Sequence, residues 1–421
     1  MDRLRYIFCA LFMLLMMNAC SEDLQQPAFE YNIGNPAVVG SQYPNLHIDN
    51  SGMVTMSWIS KIEEDFYAVE LATFNDGSWS QPRTVNTSRD YFVNWADFPS
   101  AVSRDGDVVA AHWLRKIEGG PYAYNVNLVF PEEQARRWTD PITPHLDGTA
   151  TEHGFVSMEP LTNDRVLAVW LDGRNTEGRG HDEYSDPDKS MTIRSAEVSR
   201  DGTINRKREI DGMVCDCCQT DLILTDDSAY VVYRGRTQDE IRDIYISRYD
   251  LESGEWNEPV KVHDDGWQIN GCPVNGPRID ANGDKISVAW FTGADDSRKV
   301  HVVTSDDRGE TFSEPEVISN DRLTGRADVV VSRDDDVYVS WLEERDEIGD
   351  VMMKKIGEEN QSVRVGITSS SRRSGFPRMA ETAEGILFAW TQTDPLVRVR
   401  TAFVPYDVDL SEIEDAEAPA E

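Results

Sequence analysis

The chain has 421 residues, of which 39% are hydrophobic and 28% charged, and its formal net charge is −35. That apolar content suits a folded globular body and excludes a wholly disordered chain. So negative a surface repels phosphate backbones, which excludes nucleic acid as a partner.

The first element is a targeting segment, residues 1–19. Met1 to Arg5 is basic, and Tyr6 to Met17 is an apolar run too short to span a bilayer. It ends in Met17-Asn18-Ala19-Cys20 before polar Ser21-Glu22-Asp23. This resembles a bacterial lipoprotein signal, which implies lipidation at Cys20, a membrane contact made through that lipid, and a place in the cell envelope. Residues 20–34 read as its tether.

From residue 35 to 406 the chain is periodic. Short apolar stretches end in Trp58, Trp113, Trp170, Tyr233, Trp290, Trp341 and Trp390, at intervals of roughly 50–60 residues. Each follows a strand and a tight turn, such as Asp49-Asn50-Ser51-Gly52, Asp105-Gly106 or Asn282-Gly283. Asx-Gly pairs between apolar runs are hairpin turns, because glycine accepts positive φ. A second mark is offset from the first: Trp79-Ser-Gln-Pro82, Trp138-Thr-Asp-Pro141, Trp256-Asn-Glu-Pro259 and Phe312-Ser-Glu-Pro315. Each is expected to begin an outermost, fourth strand, where proline is tolerated. The pattern predicts an all-β, seven-bladed propeller of four-stranded antiparallel blades, with six blades as the alternative. The last unit lacks a fourth strand, and Asn35 to Val39 is expected to supply it and close the ring. A monomer is expected. The acidic stretch 407–421 reads as a disordered tail.

Ser305-Asp306-Asp307-Arg308-Gly309-Glu310-Thr311-Phe312 matches the Asp-box, through Ser305, Asp307, Gly309, Thr311 and Phe312. On this motif the chain resembles the sialidase superfamily of Asp-box (BNR-repeat) propellers over about residues 35–405. The resemblance implies that Asp-boxes lie opposite the active face. It also implies an arginine triad, a Tyr/Glu nucleophile pair and an Asp acid/base. Two departures stand out. The Phe/Tyr-Arg-Ile-Pro motif is absent, and seven units replace the usual six. If the chain is an enzyme, the resemblance points to a glycoside hydrolase related to exo-sialidases.

Strand order puts the loops leading into each unit, and those between second and third strands, on one face. The unusual residues fall there. Cys215-Asp216-Cys217-Cys218 leads into unit four and Cys272 into unit five. On adjacent loops the four can meet, either as two disulfides or as a soft-metal site for copper(I) or zinc. Cys215 and Cys217 would share one side of an extended strand, so a bridge to Cys272 with one other is the expected disulfide pattern.

After the second strand of unit four come Arg234, Arg236, Glu240 and Arg242. With Asp172, which opens the long unit-three insertion 172–189, they are candidate catalytic groups or a salt-bridge network. Arg174, Arg326 and Arg373 could complete an anion clamp. Asp328, Asn275, Trp267, Asp97 and His153 are candidate ligand contacts. The insertion also holds His181, Tyr184, Asp182, Asp186 and Asp188. Three functions are therefore expected in turn: a propeller that recognises or processes a glycan or other anionic ligand, a cysteine-cluster metal or redox protein, and a non-catalytic scaffold.

Overall fold

A computed structural model describes residues 33–132, 136–179, 189–358 and 362–406. The Cys20 lipidation site, the tail, and His181, Asp182, Tyr184, Asp186 and Asp188 lie outside these residues. Among the described residues no helix is long and apolar enough to cross a membrane.

Among the described residues seven antiparallel blade sheets follow one another along the chain, with a two-stranded ribbon, Pro131–Glu132 with Arg137–Trp138, after the second. Their innermost strands are Ser41–Ile48, Ser100–Arg104, His153–Thr162, Asp221–Leu224, Arg278–Asn282, Leu323–Val331 and Arg378–Glu381. Within each sheet, sequence neighbours pair in order from this strand outward. The architecture is a seven-bladed propeller, blades 1 to 7 in chain order.

The seven periodic aromatics explain why the blades stay together. All sit on second strands and are buried. Each packs into the blade before it, and the first packs into the last. Trp58 lies with Leu387 and Ala389 of blade 7. Trp113 lies with Val69 and Leu71 of blade 1. Trp170 contacts the cluster of Val126 and Leu128, and Tyr233 that of Leu171 and Ile193. Trp290 packs with Tyr230 and Val232, Trp341 with Ala289 and Val302, and Trp390 with Leu342 and Val351. Truncating one such aromatic costs about 3–5 kcal/mol.

A polar pin reinforces the apolar one. Inner-strand and loop acids accept backbone N–H groups of the next blade. Asp97 takes that of Phe155 (2.8 Å), Asp221 that of Ile279 (2.9 Å), Asp280 that of Val331 (2.7 Å) and Asp328 that of Met379 (2.8 Å). These pins hold the inner strands at fixed offsets around the axis.

Two expectations need refinement. The Trp-x-x-Pro segments interrupt the fourth strand. Ser78–Trp79 and Arg83–Ser88 both pair with the third strand, and Glu255–Trp256 and Val260–Lys261 do the same in blade 4. Proline lacks the N–H that would carry the ladder across. Phe312 precedes the outer strand Glu316–Ser319 rather than starting it. Blades 3 and 6, without that proline, have continuous outer strands Ile204–Val214 and Ser362–Ser369.

The N-terminal segment does flank the third strand of blade 7. Gly40 N–H donates to Val397 O (2.8 Å), Asn35 Nδ2 to Val399 O (2.5 Å), and Val399 N–H to Ser41 Oγ (2.9 Å). It closes the ring without forming a regular ladder, since Asn35 bonds through its side chain and Pro36 has no N–H.

The Asp-box is a closed turn. Asp307 Oδ1 accepts Ser305 Oγ–H (2.7 Å) and Thr311 N–H (2.9 Å), and Gly309, at φ 80°, donates to Ser305 Oγ (2.8 Å). Phe312 packs between blades 4 and 5.

Candidate functional site

The loop between blades 3 and 4 carries the cysteines. It is not extended. A turn at Asp216 and Cys217 folds it, so Cys215 and Cys218 face each other with sulfurs 3.3 Å apart. The sulfurs of Cys215, Cys217 and Cys218 all lie within 4.8 Å of one another. Cys272, half-buried on the next inter-blade loop, is a hydrogen-bond neighbour of Cys217. All four are free thiols.

Close backbone packing makes this convergence possible. A Cβ on Gly276 would sit 2.1 Å from Gln219 O, so only glycine lets the blade 5 loop press against the cysteine loop. Gln219 then bridges the axis, donating to Ala96 O (2.7 Å) and accepting from Gly276 N–H (3.1 Å). Around the cluster pack Ala96 and Phe376, from the loops leading into blades 2 and 7, and Phe155, from the innermost strand of blade 3. The sulfurs thus lie at the mouth, near the axis.

Their charges are unequal. Burial pushes the Cys215 thiol up. Hydrogen bonds with Cys217 and Cys218 and the charges of Arg242 and Arg234 outweigh it and hold Cys215 well below the usual thiol range. Burial and contacts with the other three cysteines keep Cys217 well up, and burial and Cys215 raise Cys218.

The arginine-rich loop surrounds this group, and its donors are mostly committed. Arg234, 1% exposed, donates to Asn275 O (2.9 Å), Arg242 O (2.6 Å) and Phe291 O (2.6 Å) and lies over the Trp267 ring. Arg236 and Arg242 both grip Glu240, at 2.5 and 2.6 Å. Burial works to raise the Glu240 carboxyl, but these bonds hold it low. Arg242 Nη1 is buried with no hydrogen-bond partner. Asp216 faces Arg179 at 2.7 Å, so the stem of the insertion folds back over the cysteine loop.

The other candidates are brought to the same face with internal duties. Asp172 is fully buried and receives Arg174 Nε (2.7 Å) and the Trp170 indole (2.8 Å). Burial favours its protonation, yet Arg174, His153 and Trp170 hold it below the usual range. His153 lies 2.9 Å from Asp147 and stacks on His145 at 3.8 Å. Asn275 Oδ1 accepts Arg326 N–H at 2.7 Å. Arg326 donates to Ser374 Oγ (2.6 Å) and Gly375 O (2.7 Å) and lies over Trp95 and Phe376. Burial, then Arg372, bring it down to about 10. Asp328 accepts Arg278 Nε at 2.9 Å. Arg234 and Arg326 spend donors on acceptors of the fold, whereas Arg174, paired with Asp172, keeps a side chain 28% exposed. Arg373 differs. With Arg372 it is exposed on the blade 7 loop and makes no ion pair among the described residues.

Several groups at the mouth had weak sequence signals. Tyr124 OH bridges Glu152 (2.7 Å) and Asp97 (3.0 Å). Burial is the main cause that pushes Glu152 up to about 8 and Asp97 up to about 7. An axial cavity of about 70 Å3 lies below, lined by His47, Asp97, Asp221, Arg278 and Arg378. A ligand pocket for a sugar-sized molecule runs to roughly 300–1,000 Å3, so this cavity is too small for a whole sugar. His145-x-Asp147 and His263-x-Asp265 are the spacing that could have flagged two further clusters.

No known protein family matches the sequence, and no curated protein matches it. Among solved structures, an ulvan lyase of a polysaccharide lyase family matches with a TM-score of 0.52 and 12% identity, over 90% of this chain and 94% of that one. The sialidase Hz136, described as Hadza microbial, gives 0.46 and 11%, over 87% of this chain and 66% of its own length. A Dyadobacter fermentans protein of unknown function gives 0.44 and 10%, over 87% and 95%. At such identities the likeness speaks to fold alone: this chain is a β-propeller.

Proposed function

We propose that the propeller mouth is a soft-metal centre, with copper(I) or zinc held by Cys215, Cys217, Cys218 and Cys272. One observation carries this: three buried sulfurs within 4.8 Å of one another, with a fourth beside them on a separate loop. Tetrahedral thiolate coordination at about 2.3 Å sets sulfurs roughly 3.8 Å apart, inside that spread. Thiolate sulfur selects copper(I) and zinc over hard cations. The charges of Arg242, whose buried Nη1 has no hydrogen-bond partner, and of Arg234 give positive surroundings to a metal–thiolate group that carries net negative charge. Binding would release the protons of the remaining thiols. The chain would do this in the cell envelope, lipid-anchored at Cys20, as a monomer whose ring closes its own sheet edges.

The test is metal content of protein purified without oxygen. About one equivalent of thiolate-bound copper(I) or zinc is expected, lost in a Cys217→Ala/Cys218→Ala double variant. Two disulfides found by mass spectrometry in the folded, metal-free protein overturn the reading.

A second reading, recognition of an anionic glycan, draws on a different observation: Arg372 and Arg373 are exposed beside half-buried Trp95, whose ring faces the Arg372 guanidinium at 6.0 Å. Charge plus an aromatic plate suits a carboxylated or sulfated sugar on the rim. Binding of an acidic polysaccharide that survives in an Arg372→Ala/Arg373→Ala variant removes it.

A further inference from the structure

We propose a second metal site, for a borderline divalent cation such as zinc, nickel or copper(II), formed by His263, Asp265 and His301 at the seam of blades 4 and 5. His263 and Asp265 lie on the loop that joins these blades, and His301 on the strand Lys299–Ser305. Their ligand atoms lie within 4.8 Å of one another. Both imidazoles turn Nδ1 toward one carboxylate oxygen, Asp265 Oδ1, at 2.7 Å for His263 and 3.1 Å for His301. The other oxygen accepts the Trp290 indole N–H at 2.7 Å, which fixes the carboxylate plane. With metal–ligand bonds of about 2.0–2.1 Å, neighbouring donors stand roughly 2.9–3.4 Å apart. The observed separations match one edge of such a polyhedron and fall just short of it on the other.

The counterpart in blade 3 shows what is unusual here. His145, Asp147 and His153 also cluster, and an indole also bonds an acid there, Trp170 to Asp172. That site is closed by a cation of its own chain. Arg174 donates to Asp172 at 2.7 Å and lies 3.4 Å from Asp147. His145 Nε2 is also engaged, accepting Val126 N–H at 3.0 Å. In blade 5, Asp265 is nearly inaccessible, with a side chain 1% exposed, yet among the described residues no arginine or lysine pairs with it. A buried carboxylate without a fixed cation demands one. His263, at 33% side-chain exposure, leaves an open approach for the ion and for water to complete its coordination. Two imidazoles and one carboxylate suit the borderline metals and discriminate against calcium and magnesium. This site shares a loop with Cys272 but no ligand with the thiol cluster.

Cobalt(II) titration of the full chain separates the two sites, because only thiolate ligands give sulfur-to-metal charge-transfer absorption. The wild type is expected to bind one equivalent that lacks this band. His301→Ala should weaken that equivalent by more than the roughly 10–100-fold seen on losing a mere outer-shell partner. His263→Ala should weaken it likewise, and serves where His301→Ala fails to fold, since His263 lies on a half-exposed loop. Absence of any cobalt equivalent without charge transfer, or its survival in folded His263→Ala protein, overturns the proposal.

Discussion

The cysteine loop and the arginine loop lie side by side in blade 4 and follow opposite logic. Both concentrate reactive side chains at the mouth. The arginines are mostly committed to the fold: Arg234 holds three backbone carbonyls, and Arg236 and Arg242 share Glu240, with Arg242 Nη1 left without an acceptor. The four cysteines form no disulfide, and the sulfurs of Cys215 and Cys218 meet at 3.3 Å. Chemical reactivity of the residue type is the same kind of signal in both loops. What distinguishes a scaffold from a site is whether the functional atoms are already satisfied by the fold.

The largest expected effect breaks the scaffold half of that contrast. Arg234→Ala strands the carbonyls of Asn275, Arg242 and Phe291 in the interior and leaves a cavity under Trp267. A loss of about 3–5 kcal/mol is expected, read from the denaturant midpoint. A loss below 1 kcal/mol would mean that water replaces the guanidinium, and that the loop is more open than its packing implies. On the other side, the Cys217→Ala/Cys218→Ala variant should lose only about 1–2 kcal/mol in metal-free protein. Its deficit should grow with added copper(I), because the wild type alone gains stability from an ion on the thiolates: about 4 kcal/mol at a thousandfold excess over Kd. Equal gains in both proteins would place the metal elsewhere.

The two halves of the contrast were not equally legible in the sequence. The ring was legible because its signals are local and repeated: an aromatic ending each second strand, and Asx-Gly turns before it. The meeting of Cys215, Cys217, Cys218 and Cys272 followed from topology, since adjacent inter-blade loops must converge. Their local shape did not follow, because a turn at Asp216 replaces the extended strand assumed for it. The role of Arg234 was hidden for a different reason. Its acceptors are backbone carbonyls 41 and 57 residues away, and a carbonyl has no residue type to read. The acid pins, Asp221 to Ile279 among them, were invisible for the same reason.

A pH series sharpens the contrast at the neighbouring acid group. Glu152 is pushed up from 4.5 to about 8, chiefly by burial. A carboxyl whose folded pKa exceeds its unfolded one stabilises the fold while protonated. That contribution is complete below about pH 4.5 and is lost as pH rises through about 8. Stability should therefore fall between these limits, by up to ~1.4 kcal/mol per pH unit for this group. Glu152→Gln, which keeps the acceptor for Tyr124 OH, should flatten the slope. An unchanged slope would assign it to Asp97, which is pushed up to about 7 and shares the same hydroxyl.

The smallest structural effect belongs to the pair that the fold does not use. Arg372 and Arg373 are exposed and make no ion pair among the described residues. Replacing both by alanine should move stability by no more than about 0.5 kcal/mol. Their removal also relieves Arg326, whose guanidinium feels the charge of Arg372, so a slight gain is expected. If the rim takes an anionic sugar, the same variant should lose acidic-polysaccharide binding, and the wild-type affinity should fall steeply with salt, because exposed charges are screened within about 10 Å at 0.1 M. The metal centre should be untouched. Arginines with free donors would then behave as the cysteines do, and Arg234 would be the exception that its carbonyl partners make it.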